Sequence, residues 1–249
     1  MTASDHPLVR LHAGLQRKGP GRAACTRDAL ARLGPHLPER PRVADLGCGS
    51  GASALVLAAT LRVPVLAVDL DPGFITELEA QAAAGGLAGL IEARVGDIAE
   101  PPVGPASLDL IWSEGAVYLL GFEAGLARWR PLLRPGGCLA VTELSWFGDD
   151  RPPEAAAFFA EEYPAMASVE ANDIRAQRAG FEVLETFPLP SDAWWDYYHP
   201  LLARCAELEP GADPPLAAAI AATRREVAIF ERHAPSYGYV FYLMRRAPA

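Results

Sequence analysis

The stretch Val43-Ala44-Asp45-Leu46-Gly47-Cys48-Gly49-Ser50-Gly51, followed by Ala52-Ser53-Ala54-Leu55-Val56-Leu57-Ala58, limits the fold more than any other part of the chain. A short apolar run enters a turn in which every second residue is glycine, and an Ala/Leu run leaves it, so the segment reads as strand, tight loop and helix. Glycine is required where the turn needs backbone angles a side chain forbids, and where a ligand approaches the main chain closely. A helix opening near Ser50 would point unpaired N–H groups and the positive end of its dipole at a negative group. Such a corner is a nucleotide-binding device.

The glycines alone leave the nucleotide open. Gly47, Gly49 and Ala52 fit G-x-G-x-x-G/A, and Asp69 follows Gly49 by 20 positions, the spacing of a dinucleotide site. Three features point elsewhere. Asp45, at the strand end, would repel a pyrophosphate but pair with an amino group. A further glycine stands at Gly51. The strand is preceded by a long N-terminal stretch instead of opening the chain.

With 249 residues and 51% hydrophobic content, the chain suffices for one domain of the larger sort with insertions. A net charge of −9 argues against a nucleic-acid or anionic-membrane surface, which leaves small molecules as partners. Cys25, Cys48, Cys138 and Cys205 are far apart with no C-x-x-C, so they read as buried thiols of a cytoplasmic protein, and the scattered histidines imply no metal. No apolar run is long enough to span a membrane, and the N-terminus has no signal-peptide pattern.

Residues 1–22 carry His6, Arg10, His12, Arg17, Lys18 and Arg22 around Gly19-Pro20-Gly21. They form either a solvated arm or a lid whose cations meet a carboxylate. After the glycine corner, strand and helix alternate. Val63 to Asp69 is a buried parallel strand with Asp69 at its carboxyl end, where ligands of open α/β sheets bind. Asp69 is placed for a ribose, while Asp71 before Pro72 is the better helix cap. Ile91 to Ile98 ends on Asp97, an acceptor for an adenine amino group or simply a turn residue. Leu108 to Trp112 is a strand delivering Ser113-Glu114-Gly115 to the site. A helix over 123–133 is stopped by Arg134-Pro135-Gly136-Gly137, which launches a strand over 138–143. This rhythm predicts a doubly wound parallel sheet.

The alternation then breaks. Helices are expected over 154–167, 173–179, 192–207 and 215–232, with strands over 182–187 and 239–244. Trp194, Trp195, Tyr197, Tyr198 and His199 fall in a helical insertion able to roof a pocket, although aromatics at that density also suit a core.

VADLGCGSG resembles motif I of the class I S-adenosylmethionine-dependent methyltransferases, AVDLDPGFI motif II, GDI the adenine-side motif, LDLIWSEGA motif IV and LLRPGGCLAVTE the strand after it. LQRKGPG, WSEGAVYLLGF, ELSWF and YGYVFYL resemble a bacterial group of small-molecule methyltransferases in particular. The resemblance implies a mostly parallel seven-stranded sheet, order 3-2-1-4-5-7-6 with the last strand antiparallel. Residues 1–22 would be an arm, and 146–180 and 191–235 helical insertions over the site. It implies S-adenosylmethionine as cofactor, S-adenosylhomocysteine as product, and cofactor contacts from Asp45, Gly47, Gly49, Ser50, Gly51, Asp69, Leu70, Asp97, Ile98 and Ser113.

Transfer from a sulfonium needs a dry pocket, alignment, and removal of any proton from the acceptor. Tyr118, Trp146, Phe147 and Trp194 are candidates for an aromatic pocket, and Glu114, Glu143 and His199 for a base, although Glu114 could instead orient the methionine amino group. A nicotinamide oxidoreductase and a non-catalytic cofactor-binding protein remain as alternatives.

Overall fold

The computed structural model describes residues 6–248. Eight strands share one sheet: β1 Val43–Leu46, β2 Val65–Asp69, β3 Ile91–Val95, β4 Leu108–Ser113, β5 Leu133–Trp146, β6 Ala167–Ser168, β7 Phe181–Pro188 and β8 Tyr237–Arg246. The path is β3-β2-β1-β4-β5-β8-β7, with two-residue β6 pairing beside β5. Setting β6 aside, this is the expected order. β1 to β5 are parallel, and β8 runs antiparallel to both its neighbours, from Cys138↔Arg245 to Trp146↔Tyr237 on the β5 side.

Both faces of the central strands are covered, which is why they read as unbroken apolar runs. Along β2, Val65 and Ala67 enter one hydrophobic cluster, while Val68 belongs to the other and Leu66 packs against it. The first cluster takes in α2 (Ala23–Leu33), α3 (Ala52–Leu61) and α4 (Pro72–Ala84); the second takes in α5 (Phe122–Trp129). All four cysteines are free and buried.

Several element ends differ from expectation. α3 opens at Ala52, two residues past Ser50, because Gly51 holds a left-handed φ of +88° and caps it. The Arg134–Gly137 turn lies inside β5: the partner of β4 jumps from Leu133 to Cys138 between Leu108 and Leu110, so these residues bulge from the ladder. The expected helix over 173–179 begins earlier, as α7 (Val169–Arg178), capped by Ser168. α7 packs on α5 and β7, not over the site. Of the 146–180 insertion, α6 (Pro153–Glu162) sends side chains to the site.

A helix not foreseen from sequence, α1 (Pro7–His12), packs on α8 (Ser191–Leu208) and α9 (Pro214–His233), the two helices between β7 and β8. No helix of the described residues is long and apolar enough to cross a membrane.

Candidate active site

The glycine corner is knitted to its own chain. Gly47 and Cys48 donate to the Val68 carbonyl (2.8 and 3.1 Å), Gly51 to the Cys48 carbonyl (2.8 Å), and Gly49 to Asp69 Oδ2 (2.8 Å). These four amides are therefore committed, and the corner offers an anion little of the cradle a pyrophosphate needs. The carboxylates beside it favour a cation instead. Asp45 is fully buried; Oδ2 accepts from Ser53 Oγ (2.6 Å), while Oδ1 has no partner. Burial, with Glu114 and Asp69 nearby, pushes its carboxyl up to about 7 against the Ser53 hydrogen bond. An ammonium would give that orphaned oxygen a donor, so the residues present fit the amino-acid end of an adenosyl sulfonium. Asp69 is partly buried, and burial raises its pKa against the Asp71 and Gly49 amides it accepts from.

The glycines serve packing as well as turn geometry. A Cβ on Gly47 (φ +79°) would overlap that of Ala116, and one on Gly51 would overlap Leu78. At Gly49 (φ +53°) the neighbour is Lys18 Cγ, 3.0 Å from such an atom. Lys18 belongs to the arm, which lies across the corner. Its Nζ donates to the carbonyls of His12 (2.8 Å) and Leu15 (2.9 Å) and to Glu77 (2.6 Å), 4.4 Å above the Phe74 ring. Ser50 Oγ reaches the carbonyls of Leu15 (3.4 Å) and Gln16 (3.3 Å) from below.

Glu114 holds this arm down. Oε1 accepts from Thr26 Oγ1 (2.7 Å) and Trp112 Nε1 (2.9 Å), and Oε2 from Arg17 Nη1 (3.0 Å). Its oxygens are thus engaged by Arg17 of the arm, by Thr26 and by Trp112.

Beyond the corner lies a chamber of about 450 Å³. Gly115 and Tyr118, just past β4, line it together with Phe159, Glu162 and Tyr163 from the α6 region and Tyr237 and Tyr239 from β8. Trp194, Tyr197 and Tyr198 of α8, and Glu226 of α9, complete the roof, with Lys18 and His12 at the arm side. Trp194 is stacked on Phe230 (4.6 Å) and on Tyr239 (5.2 Å), which fixes its plane. Glu143, 1% exposed, stands behind Tyr163: Oε1 accepts the Tyr163 hydroxyl at 2.6 Å and Oε2 has no partner. Burial pushes Glu143 up to about 7 against the pull of Tyr163 and Arg175.

Other expected site residues lie outside the chamber. His199 is exposed and stacked on Trp195 (5.1 Å), outside the chamber. The histidine at the chamber is His12, whose Nδ1 meets the Leu8 carbonyl (2.6 Å) and Nε2 the Tyr197 hydroxyl (2.7 Å). A carbonyl only accepts, so Nδ1 carries the proton and Nε2 accepts from Tyr197. Burial lowers its pKa further. Phe147 is 39% exposed with its ring against Gly238, and Trp146 lies behind the wall, edge-on to Phe159 and Tyr237 (5.7 and 5.8 Å). Ser113 is fully buried and pins β4 to β1 through the Leu46 carbonyl (2.7 Å). Asp97 is exposed and accepts from Ala99 N (2.7 Å) within its own turn. Ile98 is core, and Leu70 is 67% exposed beside Asp69.

Tyr237 and Tyr239 were signalled in the sequence by their spacing of two on a strand, which puts both on one face. Glu226 had no such signal.

Residues 43–137 match the family described as methyltransferase domain. The O-methyltransferase resE of Aspergillus sclerotiorum is 30% identical over 64% of this chain and 61% of its own length. The dimethylglycine N-methyltransferase of Parasynechococcus marenigrum is 33% identical over 46% of this chain and 41% of its own. The chain thus spans less than two thirds of the length of either. Among solved structures, a SAM-dependent methyltransferase from Geobacter sulfurreducens in complex with S-adenosyl-L-homocysteine superposes with a TM-score of 0.81 at 20% identity, covering 96% of each chain. Residues 43–137 thus resemble a methyltransferase domain, and the described chain has the Rossmann-like fold seen in the class I methyltransferases.

Proposed function

We propose that this protein transfers a methyl group from S-adenosylmethionine to a small-molecule acceptor held in the aromatic chamber. One observation carries the reading: the chamber opens at Gly115 and Tyr118, directly after β4, which pairs with β1 and its glycine corner, and arm residue Lys18 lies at both. Asp69 would take the ribose hydroxyls on its remaining lone pairs, and Asp45 the ammonium end. Asp97, Leu70 and Ile98 would flank the adenine. When bound, the cofactor supplies an electrophilic methyl on sulfur. The protein's own task is then to exclude water, which the arm and the tyrosine walls do, and to receive a proton where the acceptor carries one. The Tyr163–Glu143 pair would receive it. Of the lid reading of residues 1–22, residues 1–5 lie outside the described residues, and Arg17 and Lys18 support it for the rest.

Calorimetry with S-adenosylhomocysteine tests the cofactor. Micromolar binding, weakened at least tenfold by Asp69→Ala, is expected, whereas no heat from it or from S-adenosylmethionine sinks the reading. Mass spectrometry of metabolite mixtures incubated with methyl-labelled S-adenosylmethionine tests transfer.

A further inference from the structure

We propose that the acceptor enters the chamber as a cation, its amine nitrogen held by Glu226 within the ring of tyrosines. This rests on the methyltransferase reading for the word acceptor, but not for the binding site itself.

Glu226 projects from the middle of α9 into the tyrosine-lined chamber. Oε1 accepts the Tyr198 hydroxyl at 2.7 Å, and among the described residues the other oxygen has no hydrogen-bond partner and the carboxylate no basic partner. Tyr118, Tyr197, Tyr198, Tyr237 and Tyr239 line the same chamber, from the end of β4, from α8 and from β8; burial raises their phenol pKa, and the Glu226 charge adds to it. Burial, and Glu162 nearby, raise the pKa of Glu226 itself. A carboxylate so placed is costly unless a cation joins it.

The described residues do not supply that cation. Lys18 has its ammonium engaged by Glu77 and by the carbonyls of His12 and Leu15. His12 is held neutral, its ring nitrogens taken by Leu8 and Tyr197. Arg17 is bound to Glu114 and Thr26, and Arg225, beside Glu226 in α9, is paired with Glu161 at 2.9 Å. A second polar group in the wall also lacks a partner: the Tyr237 hydroxyl, buried with no hydrogen bond. Electron-rich ring faces and an unpaired carboxylate are the two elements that recognise an alkylammonium. With Glu226 in its wall, the same chamber rejects a carboxylate or phosphate at that end.

Benzylamine, cationic at pH 7, and benzyl alcohol, its neutral counterpart, separate charge from shape. Tryptophan fluorescence titrations of the full chain, with and without saturating S-adenosylhomocysteine, should show benzylamine binding at least tenfold more tightly. Glu226→Gln should abolish the difference while leaving S-adenosylhomocysteine binding unchanged. Equal binding of the two probes, binding of neither, or a preference that survives in folded Glu226→Gln overturns the proposal. Should that variant fail to fold, Tyr198→Phe decides: it strips Glu226 of its donor, so the amine preference must persist or grow, and its loss is equally fatal. An amine preference without any S-adenosylhomocysteine binding would refute the methyltransferase reading and leave the amine site standing.

Discussion

Arg17 Nη1 lies 3.0 Å from Glu114 Oε2, joining the N-terminal arm to the carboxyl end of β4 across 97 positions of sequence. The side chains are only 16% and 6% exposed, so the pair is shielded from the screening that makes surface ion pairs weak. Arg17→Ala leaves Glu114 buried without its guanidinium and frees the arm. The expected result is a loss of about 2 kcal/mol in chemical denaturation and faster release of S-adenosylhomocysteine in stopped-flow fluorescence. Arg10→Ala, breaking the exposed pair with Asp213, should cost less than about 1 kcal/mol.

The three corner glycines should not respond alike to alanine. At Gly47 the new methyl overlaps Ala116 and at Gly51 it overlaps Leu78, both in residues that cannot withdraw, on top of the cost of a left-handed φ. Each is expected to cost about 3 kcal/mol or more, or to prevent folding. Gly49→Ala meets only the flexible Lys18 stem and should cost about 1 to 2 kcal/mol. Urea melts of the three variants check the order.

Asp45 has its carboxyl raised from 3.8 to about 7 by burial. Between those values the folded chain keeps a proton the unfolded chain has lost, so stability falls as pH rises through the window and levels off above about 7. Glu143, raised from 4.5 to about 7, contributes in the same direction. Asp45→Asn is therefore expected to flatten part of this slope and to raise stability at pH 8 by roughly 1 kcal/mol. It should also weaken S-adenosylhomocysteine by removing the charge that meets its ammonium. Thermal melts from pH 5 to 8, with and without ligand, read both effects.

Glu143 and the Tyr163 hydroxyl, 2.6 Å apart, act as a unit. A carboxyl titrating at about 7 predicts that kcat climbs with pH through that value as Glu143 ionises. Glu143→Gln should lower kcat by about 100-fold and remove this limb, with KM changed little. Tyr163→Phe should do less, and a pH-independent rate in the wild type would exclude the role.

The sheet and its corner were legible from the sequence because their causes are local. Glycines at 47, 49 and 51 sit where φ must be positive, and acids at 45 and 69 fall at strand ends because apolar runs stop there. The helical roof was not legible in this way. Trp194, Trp195, Tyr197, Tyr198 and His199 wrap most of α8, so no apolar stripe says which side faces inward, and only packing against α9, α1 and β8 turns Trp194 and Tyr197 in and His199 out. Likewise nothing around Glu226 in α9 distinguishes it from a solvated acid until β8 brings Tyr237 and Tyr239 opposite it. The sequence determined where a nucleotide-like cofactor can be gripped, since backbone angles and strand ends depend on near neighbours. What the chamber can hold depends on charge and burial, which arise only when segments distant in sequence close around one space, and that was decided by the tertiary structure.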